Sequence, residues 1–328
     1  MFQEYAARVE RYDLHGLDYP LVIKPLETGI DPFRWAEDHK AMVQKDLHRF
    51  GAILFRDFPL HQVQDFNKFV AAFGGEMIDY KERSSPRHEV EKKIYTSTDH
   101  PADQVINMHN ENSYSRSWPL KLYFYCDIPS ARGGETPIAD SRRMLAMLSK
   151  STKKKFREKG VLYVRNLGGM MGLNWDVVFQ TTDRSVVEAY CKQKDIVFNW
   201  KDDNRLQLKY YAPAIRIHPQ TGDESWFNHA FFYNILSLDP QFVEEILTVM
   251  DKEDFSFLSY YGDGEEIEEA VIDEIRSCFE QLKVSFLWQK GDVLLVDNML
   301  MAHGRAAYEG ERRILVAMTD PQYHHMYL

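Results

Sequence analysis

Residues 107–114, Asn-Met-His-Asn-Glu-Asn-Ser-Tyr, decide the fold, because the chemistry they offer needs a partner far along the chain. Side chains i and i+2 of an extended strand point to the same face. His109 and Glu111 on one strand therefore offer an imidazole and a carboxylate to one cavity. His303, within Met301-Ala302-His303-Gly304-Arg305, supplies a second imidazole from a distant segment. Two nitrogens and one oxygen on one face of a metal, with three positions open, is the set expected of a non-haem Fe(II) oxygenase. In a chain with 12 histidines and 50 acidic residues, composition alone produces roughly two His-x-Asp/Glu tripeptides. This chain has one, so its surroundings must carry the argument.

Those surroundings place strands near both ends. Residues 50–55 and 120–127 are apolar runs of strand length, and 284–288, 292–296 and 314–318 repeat the pattern late in the chain. Between them lie helical signals. Asp31-Pro32 opens a helix predicted to reach about Arg49, and Phe66, Phe69, Val70 and Phe73 recur at helical spacing before Gly74-Gly75. Ser141 caps a predicted helix carrying Met144, Leu145 and Leu148, and Ser151 caps one ending at Gly160. Asp183 caps another around Val187, and Asp239-Pro240 opens one running to about Asp251. An amphipathic helix is predicted over 265–282, with Ile267, Val271, Ile275, Phe279 and Leu282 on its inner side. The expected fold is mainly β with helical insertions (α+β), built on a double-stranded β-helix, or jelly-roll, core that returns His303 to His109. One domain is expected over 1–328, with the helical insertions within about 141–282.

Composition narrows the function classes. A net charge of −10 argues against nucleic acid or anionic membrane as partner. Three cysteines, Cys126, Cys191 and Cys278, with no C-x-x-C spacing suggest a reduced compartment and neither a disulfide framework nor a zinc site. No secretory signal and no run of 18 apolar residues is apparent, so a cytoplasmic location is expected.

Two further residues suit a metal that binds an α-keto acid. Such a cosubstrate chelates iron through its keto and C1 carboxylate oxygens and leaves its far carboxylate to be anchored. A planar arginine fork is the best side-chain partner for it. Arg313, ten residues after His303, lies within reach, and Thr136 could add a hydroxyl bond. Taken singly, Arg312 and Arg313 read equally well as a solvated charge pair.

The blocks NMHNENSY, GGETPIADSR, KGDVLLVDNMLMAHGR and GERRILVAM resemble the taurine dioxygenase (TauD/TfdA) family of Fe(II)/2-oxoglutarate enzymes over roughly 48–320. FQTTDR, WKDDNRLQ, HPQTG and WFNHAFF are similar to its branch of syringomycin-type amino-acid β-hydroxylases. The resemblance implies His109, Glu111 and His303 as iron ligands, and Thr136 and Arg313 as holders of the 2-oxoglutarate C5 carboxylate. It implies Fe(II) and 2-oxoglutarate as cofactors, O2 as cosubstrate, and succinate and CO2 as products beside a hydroxylated C–H. In taurine dioxygenase an arginine four residues beyond the cosubstrate arginine binds the sulfonate. Counted from Arg313 that position is Ala317, which disfavours sulfonates. The carboxylate at Glu111, where related halogenases have a small residue, favours hydroxylation over halogenation.

Substrate contacts are expected from Asn107, Ser113, Asn228 and His229, with His229 open to a reading as a buried core histidine. Arg83 and Arg87 are further candidates for a substrate carboxylate. The basic run Lys150, Lys153, Lys154, Lys155, Arg157 and Lys159 suggests docking of a carrier protein presenting an aminoacyl thioester, or a plain solvated helix face. The expected substrate is an amino acid, free or carrier-bound, in natural-product biosynthesis. Desaturation, epoxidation or cyclisation with the same cofactors is the alternative, and a non-catalytic jelly-roll binding protein a third reading.

Overall fold

The computed structural model describes residues 9–14, 18–78, 89–91, 93–98, 100–170, 172–201 and 204–323. Arg83, Arg87 and the His324-His325 pair lie outside the described residues. An eight-stranded sheet forms the backbone of the fold, in the order Val9–Asp13, Leu21–Pro25, Ala52–Phe55, Val293–Asp297, Ser117–Ile128, Arg313–Tyr323, Ile94–Thr96, Glu89–Glu91. Its centre pairs early and late segments antiparallel: Phe124 lies between Leu294 on one side and Val316 on the other.

Alternation divides this sheet into two faces. Tyr123, Tyr125, Leu315 and Ala317 pack against Leu47, Phe66 and Phe69 of the flanking helices. Leu122, Phe124, Ile314 and Val316 face the other way, toward Ile138 and Met301. The latter belong to a smaller sheet of Ile106–His109, Met301–Arg305 and Ile138–Asp140, which closes the jelly-roll core. The expected mixed α+β fold with a jelly-roll core is therefore present, and distant strands do meet.

The 141–282 stretch holds helices, as expected, and also a four-stranded sheet of Val197–Trp200, Leu206–Ala212, Val161–Leu167 and Phe257–Tyr261. Helices Ser141–Met147, Lys150–Lys159, Arg184–Gln193 and Glu269–Leu282 back it, burying Met144, Phe156, Val187, Ile275 and Phe279.

Several element boundaries differ from the sequence reading. The first predicted helix breaks at His39, whose ring stacks on Trp35 and whose Nδ1 bonds the Trp35 carbonyl at 2.7 Å, leaving Pro32–Asp38 and Lys40–Phe50. Gly51 at φ 72° stops the second helix, so the following strand is Ala52–Phe55. Asp140, not Ser141, caps its helix by accepting from the Arg142 and Arg143 amides, and Ser149, not Ser151, caps the next. A carboxylate or hydroxyl one or two residues upstream wins because it is placed to reach those first amides. The helix after Asp239 spans Pro240–Ile246, and the last one starts at Glu269 after the acidic turn. Among the described residues, 284–288 contributes an isolated bridge from Val284 to Ile138. No helix among them is long and apolar enough to cross a membrane.

Candidate metal centre and cavity

Strand Ile106–His109 pairs antiparallel with Met301–Arg305, and the register sets His303 opposite His109. Gly304 permits the close approach. A Cβ there would lie 2.7 Å from the Ile106 carbonyl oxygen, so His303 is followed by the one residue that lets the backbones meet. The two imidazole rings stand 4.4 Å apart between centroids.

Glu111 arrives differently from the i, i+2 expectation. The strand ends at His109, and Glu111 sits in the turn that follows, where Asn112 takes φ 56°. Buried amides hold that turn. Asn298 Oδ1 accepts from the Glu111 backbone N–H at 2.7 Å, while its Nδ2 donates to the carbonyls of Glu111 and Pro119 at 2.9 and 2.8 Å. Asn110 Nδ2 donates to the Asn298 and Met301 carbonyls at 2.8 and 3.1 Å. These two asparagines tie the Glu111 turn to the loop leading into His303. Sequence reading passed over both, although Asn298 lies in the turn between two apolar strands.

One ligand atom each from His109, Glu111 and His303 lies within 4.8 Å of the others. Glu111 and His303 are buried, and His109 is partly so. His109 Nδ1 is 2.8 Å from the Asn107 carbonyl, so that nitrogen carries the proton and Nε2 is left for a metal. Two imidazoles and a carboxylate converging on one point fit a divalent first-row ion with open positions.

His109, Glu111 and His303 border a cavity of about 560 Å³. Thr136, Phe124, Phe232, Tyr233 and Leu167 line it, as do Arg165, Arg305 and Arg312. Arg313, expected at the cosubstrate, does not border this cavity. Arg313 turns outward, half-exposed, and pairs with Asp127, whereas Arg312 borders the cavity. Arg312 Nε donates to the Gly134 carbonyl at 2.9 Å, and its guanidinium lies 5.4 Å from the Tyr308 ring centroid. Burial, with Arg305 nearby, pushes its pKa down to about 10, which still leaves it cationic at neutral pH. Thr136 is buried, and Trp288 Nε1 donates to its hydroxyl at 3.2 Å. Counted from Arg312, the position four residues on is Val316, on the same sheet face as Phe124.

The other candidates separate into wall and support. Asn107 and His229 border the cavity. Ser113 stands behind His229, its hydroxyl 2.5 Å from the ring Nδ1. Burial, with His109 close by, holds the His229 pKa well below the ordinary histidine value, so the ring is neutral. Asn228 does not border the cavity: its side chain bonds the Ala214 carbonyl and the Ala230 amide, closing a backbone turn. Part of the basic helix is paired within the chain. Lys155, Arg157 and Lys159 pair with Glu268, Glu224, and Asp263 and Glu265.

Residues 22–319 match the family described as taurine catabolism dioxygenase TauD, TfdA family. The chain is 37% identical over 281 residues to the dapdiamide synthesis protein DdaC of Enterobacter agglomerans, covering 86% of this chain and 85% of that one. A clavaminate synthase-like protein of Arabidopsis thaliana is 31% identical over 283 residues, covering 83% and 82%. Among solved structures, PvcB from Pseudomonas aeruginosa superposes with a TM-score of 0.58 at 16% identity, over 96% of this chain and 92% of that one. A second PvcB structure, described as an Fe, alpha-ketoglutarate dependent oxygenase from an isonitrile synthetic pathway, gives a TM-score of 0.57 at 14% identity, covering 97% and 93%.

Proposed function

Because this chain belongs to the taurine catabolism dioxygenase TauD, TfdA family, whose members use Fe(II), 2-oxoglutarate and O2, we propose that it hydroxylates an unactivated C–H of an amino acid or aminoacyl substrate in natural-product biosynthesis. The enzyme class, a dioxygenase, follows from the family. The reaction outcome and substrate are the proposal, together with a single oxygenase domain spanning the chain. The observation that carries it is the convergence of His109, Glu111 and His303 beside a cavity that Arg312 also borders. The 37% identity to a protein named for dapdiamide synthesis supports the substrate class.

Bound Fe(II) and 2-oxoglutarate would supply O2 activation, with O2 as oxidant, two electrons from decarboxylation of 2-oxoglutarate to succinate and CO2, two from the substrate C–H, and one oxygen atom to each product. The chain's own residues do the rest. His109, held by the Asn107 carbonyl, presents Nε2 to the metal, and Asn298 holds Glu111 in place. Arg312 and Thr136 take the far carboxylate of 2-oxoglutarate, with Gly134 setting the guanidinium plane and Trp288 orienting the hydroxyl. Neutral His229 and the aromatic wall of Phe232 and Tyr233 keep water from the reacting face.

Product mass tests the outcome. A gain of one oxygen supports hydroxylation, and loss of two hydrogens replaces it with desaturation or ring closure. An epoxide also gains one oxygen, and product NMR separates it from an alcohol.

A further inference from the structure

His229 is placed more firmly than a wall residue requires. Its ring is 3% exposed, borders the cavity and lies 5.8 Å, centroid to centroid, from the ring of the candidate ligand His109. Hydrogen bonds clamp the backbone beneath it. The His229 amide donates to the Tyr163 hydroxyl at 3.0 Å, and Asn228 bonds the Ala214 carbonyl and the Ala230 amide at 2.8 and 2.9 Å. The rings of Tyr114, Phe232 and Tyr233 pack around the imidazole at 5.2, 5.3 and 4.7 Å.

The two ring nitrogens meet different surroundings. Nδ1 lies 2.5 Å from the hydroxyl of Ser113, which is fully buried behind the ring and does not border the cavity. Among the described residues, Nδ1 is the one side-chain partner of that hydroxyl. A serine hydroxyl carries a single proton, and a buried donor without a partner is rarer than an acceptor with a spare lone pair. Ser113 therefore donates and Nδ1 accepts. The ring proton is then on Nε2, because the bond made by one imidazole nitrogen sets the protonation of the other. Nε2 is directed away from Ser113, and among the described residues no group of the chain bonds it. The result is a rigidly held N–H donor open to the cavity beside the candidate metal centre.

We propose that His229 orients the substrate through Nε2–H, which donates to the acyl oxygen that an amino acid, its amide and its thioester all share. An ammonium group has donors only and is turned away from this position. The acyl end thus sits beside His109, and the rest of the substrate extends along the wall of Tyr233, Ile235 and Phe257. Ser113 is a positioning residue, acting through His229 without touching substrate. The proposal rests on the oxygenase reading above.

The test uses full-length protein, wild type and the variants Ser113→Ala, His229→Gln and His229→Phe. Anaerobic 2-oxoglutarate titration of the iron-loaded proteins comes first, reading the visible absorption of the chelate. Equal affinity shows folded protein with an intact cosubstrate site, whereas failure of the wild type to bind would overturn the oxygenase reading itself. Long-range proton–nitrogen NMR spectra of histidine-labelled protein, loaded with Zn(II) and 2-oxoglutarate, then report the tautomer. The wild type should show Nε2–H signals that vanish in His229→Gln, and Ser113→Ala should shift them toward a mixture. An Nδ1–H tautomer in the wild type would overturn the assignment. Next, proteinogenic L-amino acids are supplied as acids, carboxamides and pantetheine thioesters, beside the amines that lack the acyl group, reading the shift of the chelate absorption and succinate release. At least one acyl compound should bind and drive turnover, with affinity on the order of 10-fold weaker in His229→Phe, the size of one lost hydrogen bond. Ser113→Ala should weaken it to a lesser degree, and His229→Gln should recover part of the loss. The matching amine should bind weakly and equally to all four proteins. No response to any acyl compound, or equal affinity in wild type and His229→Phe, would overturn the assignment while leaving the oxygenase standing. Should His229→Phe lose 2-oxoglutarate binding, Ser113→Ala decides, and an unchanged tautomer with unchanged substrate affinity would overturn the assignment.

Discussion

Exchanging Arg312 or Arg313 for methionine should give opposite results, although the two are neighbours in sequence. Arg312 borders the cavity, partly buried, with Nε held by the Gly134 carbonyl. Removing one partner of a buried, hydrogen-bonded charge pair costs about 2–5 kcal/mol. That corresponds to a loss of roughly 30-fold or more in 2-oxoglutarate affinity. Arg313 is half-exposed and paired with Asp127. Half-exposed on the Arg313 side and buried at Asp127, the pair bears on stability, by about 1 kcal/mol, and not on the cavity. The assay is anaerobic titration of 2-oxoglutarate into iron-loaded protein, followed through the chelate absorption. Arg312→Met should need far more 2-oxoglutarate to reach half-saturation, and Arg313→Met should match wild type within a factor of two or so. Weak binding in Arg313→Met with normal binding in Arg312→Met would refute the reassignment.

Asn298→Leu removes three hydrogen bonds around the Glu111 turn and leaves buried backbone groups unpaired. Stability should fall by about 2–4 kcal/mol in chemical denaturation, with weaker iron retention. Gly304→Ala forces a methyl group against the Ile106 carbonyl, so the strand must shift. A loss of about 1–3 kcal/mol and a reduced iron content after reconstitution are expected, whereas wild-type iron content would mean that the His109–His303 spacing tolerates displacement. Hydrogen bonds from Lys155 and Tyr261 hold the Glu268 pKa down at about 2, against an ordinary 4.5. A depressed carboxylate stabilises the fold above its unfolded pKa and loses that contribution as pH falls through its folded one. Glu268→Gln should therefore be less stable than wild type above about pH 4.5, the gap closing toward pH 2; thermal melts across that range check it. Because Glu268 is about half exposed, the gap should be small and shrink in salt.

The candidate metal ligands were legible because residue type carries most of that signal. His109, Glu111 and His303 are the residues the structure gathers, and apolar runs near both ends revealed that their strands meet. The geometry behind Glu111 was not legible, since a left-handed Asn112 and amides 187 residues away hold it, and neither is a local property. Arg313 was chosen over Arg312 by its distance from His303, whereas alternation along the strand points to Arg312 as the residue bordering the cavity. Val316 and Ile314 face the cavity side with Phe124, and counting back by two reaches Arg312. A register irregularity between Arg313 and Ile314 shows why that count needs the structure behind it. The pairing of Lys155, Arg157 and Lys159 on the basic helix was not legible, because their partners Glu224, Asp263, Glu265 and Glu268 come from segments remote in sequence.

Iron retention tests the central claim most directly. Wild type, Glu111→Ala and His303→Ala, each loaded anaerobically with Fe(II) and desalted, are compared by metal analysis and by their response to 2-oxoglutarate. The wild type should keep about one iron per chain and develop the chelate absorption, and both variants should lose most of the iron and the absorption with it. Variants that keep iron and absorption as the wild type does, or a wild type that binds neither, would contradict a metal centre built from His109, Glu111 and His303.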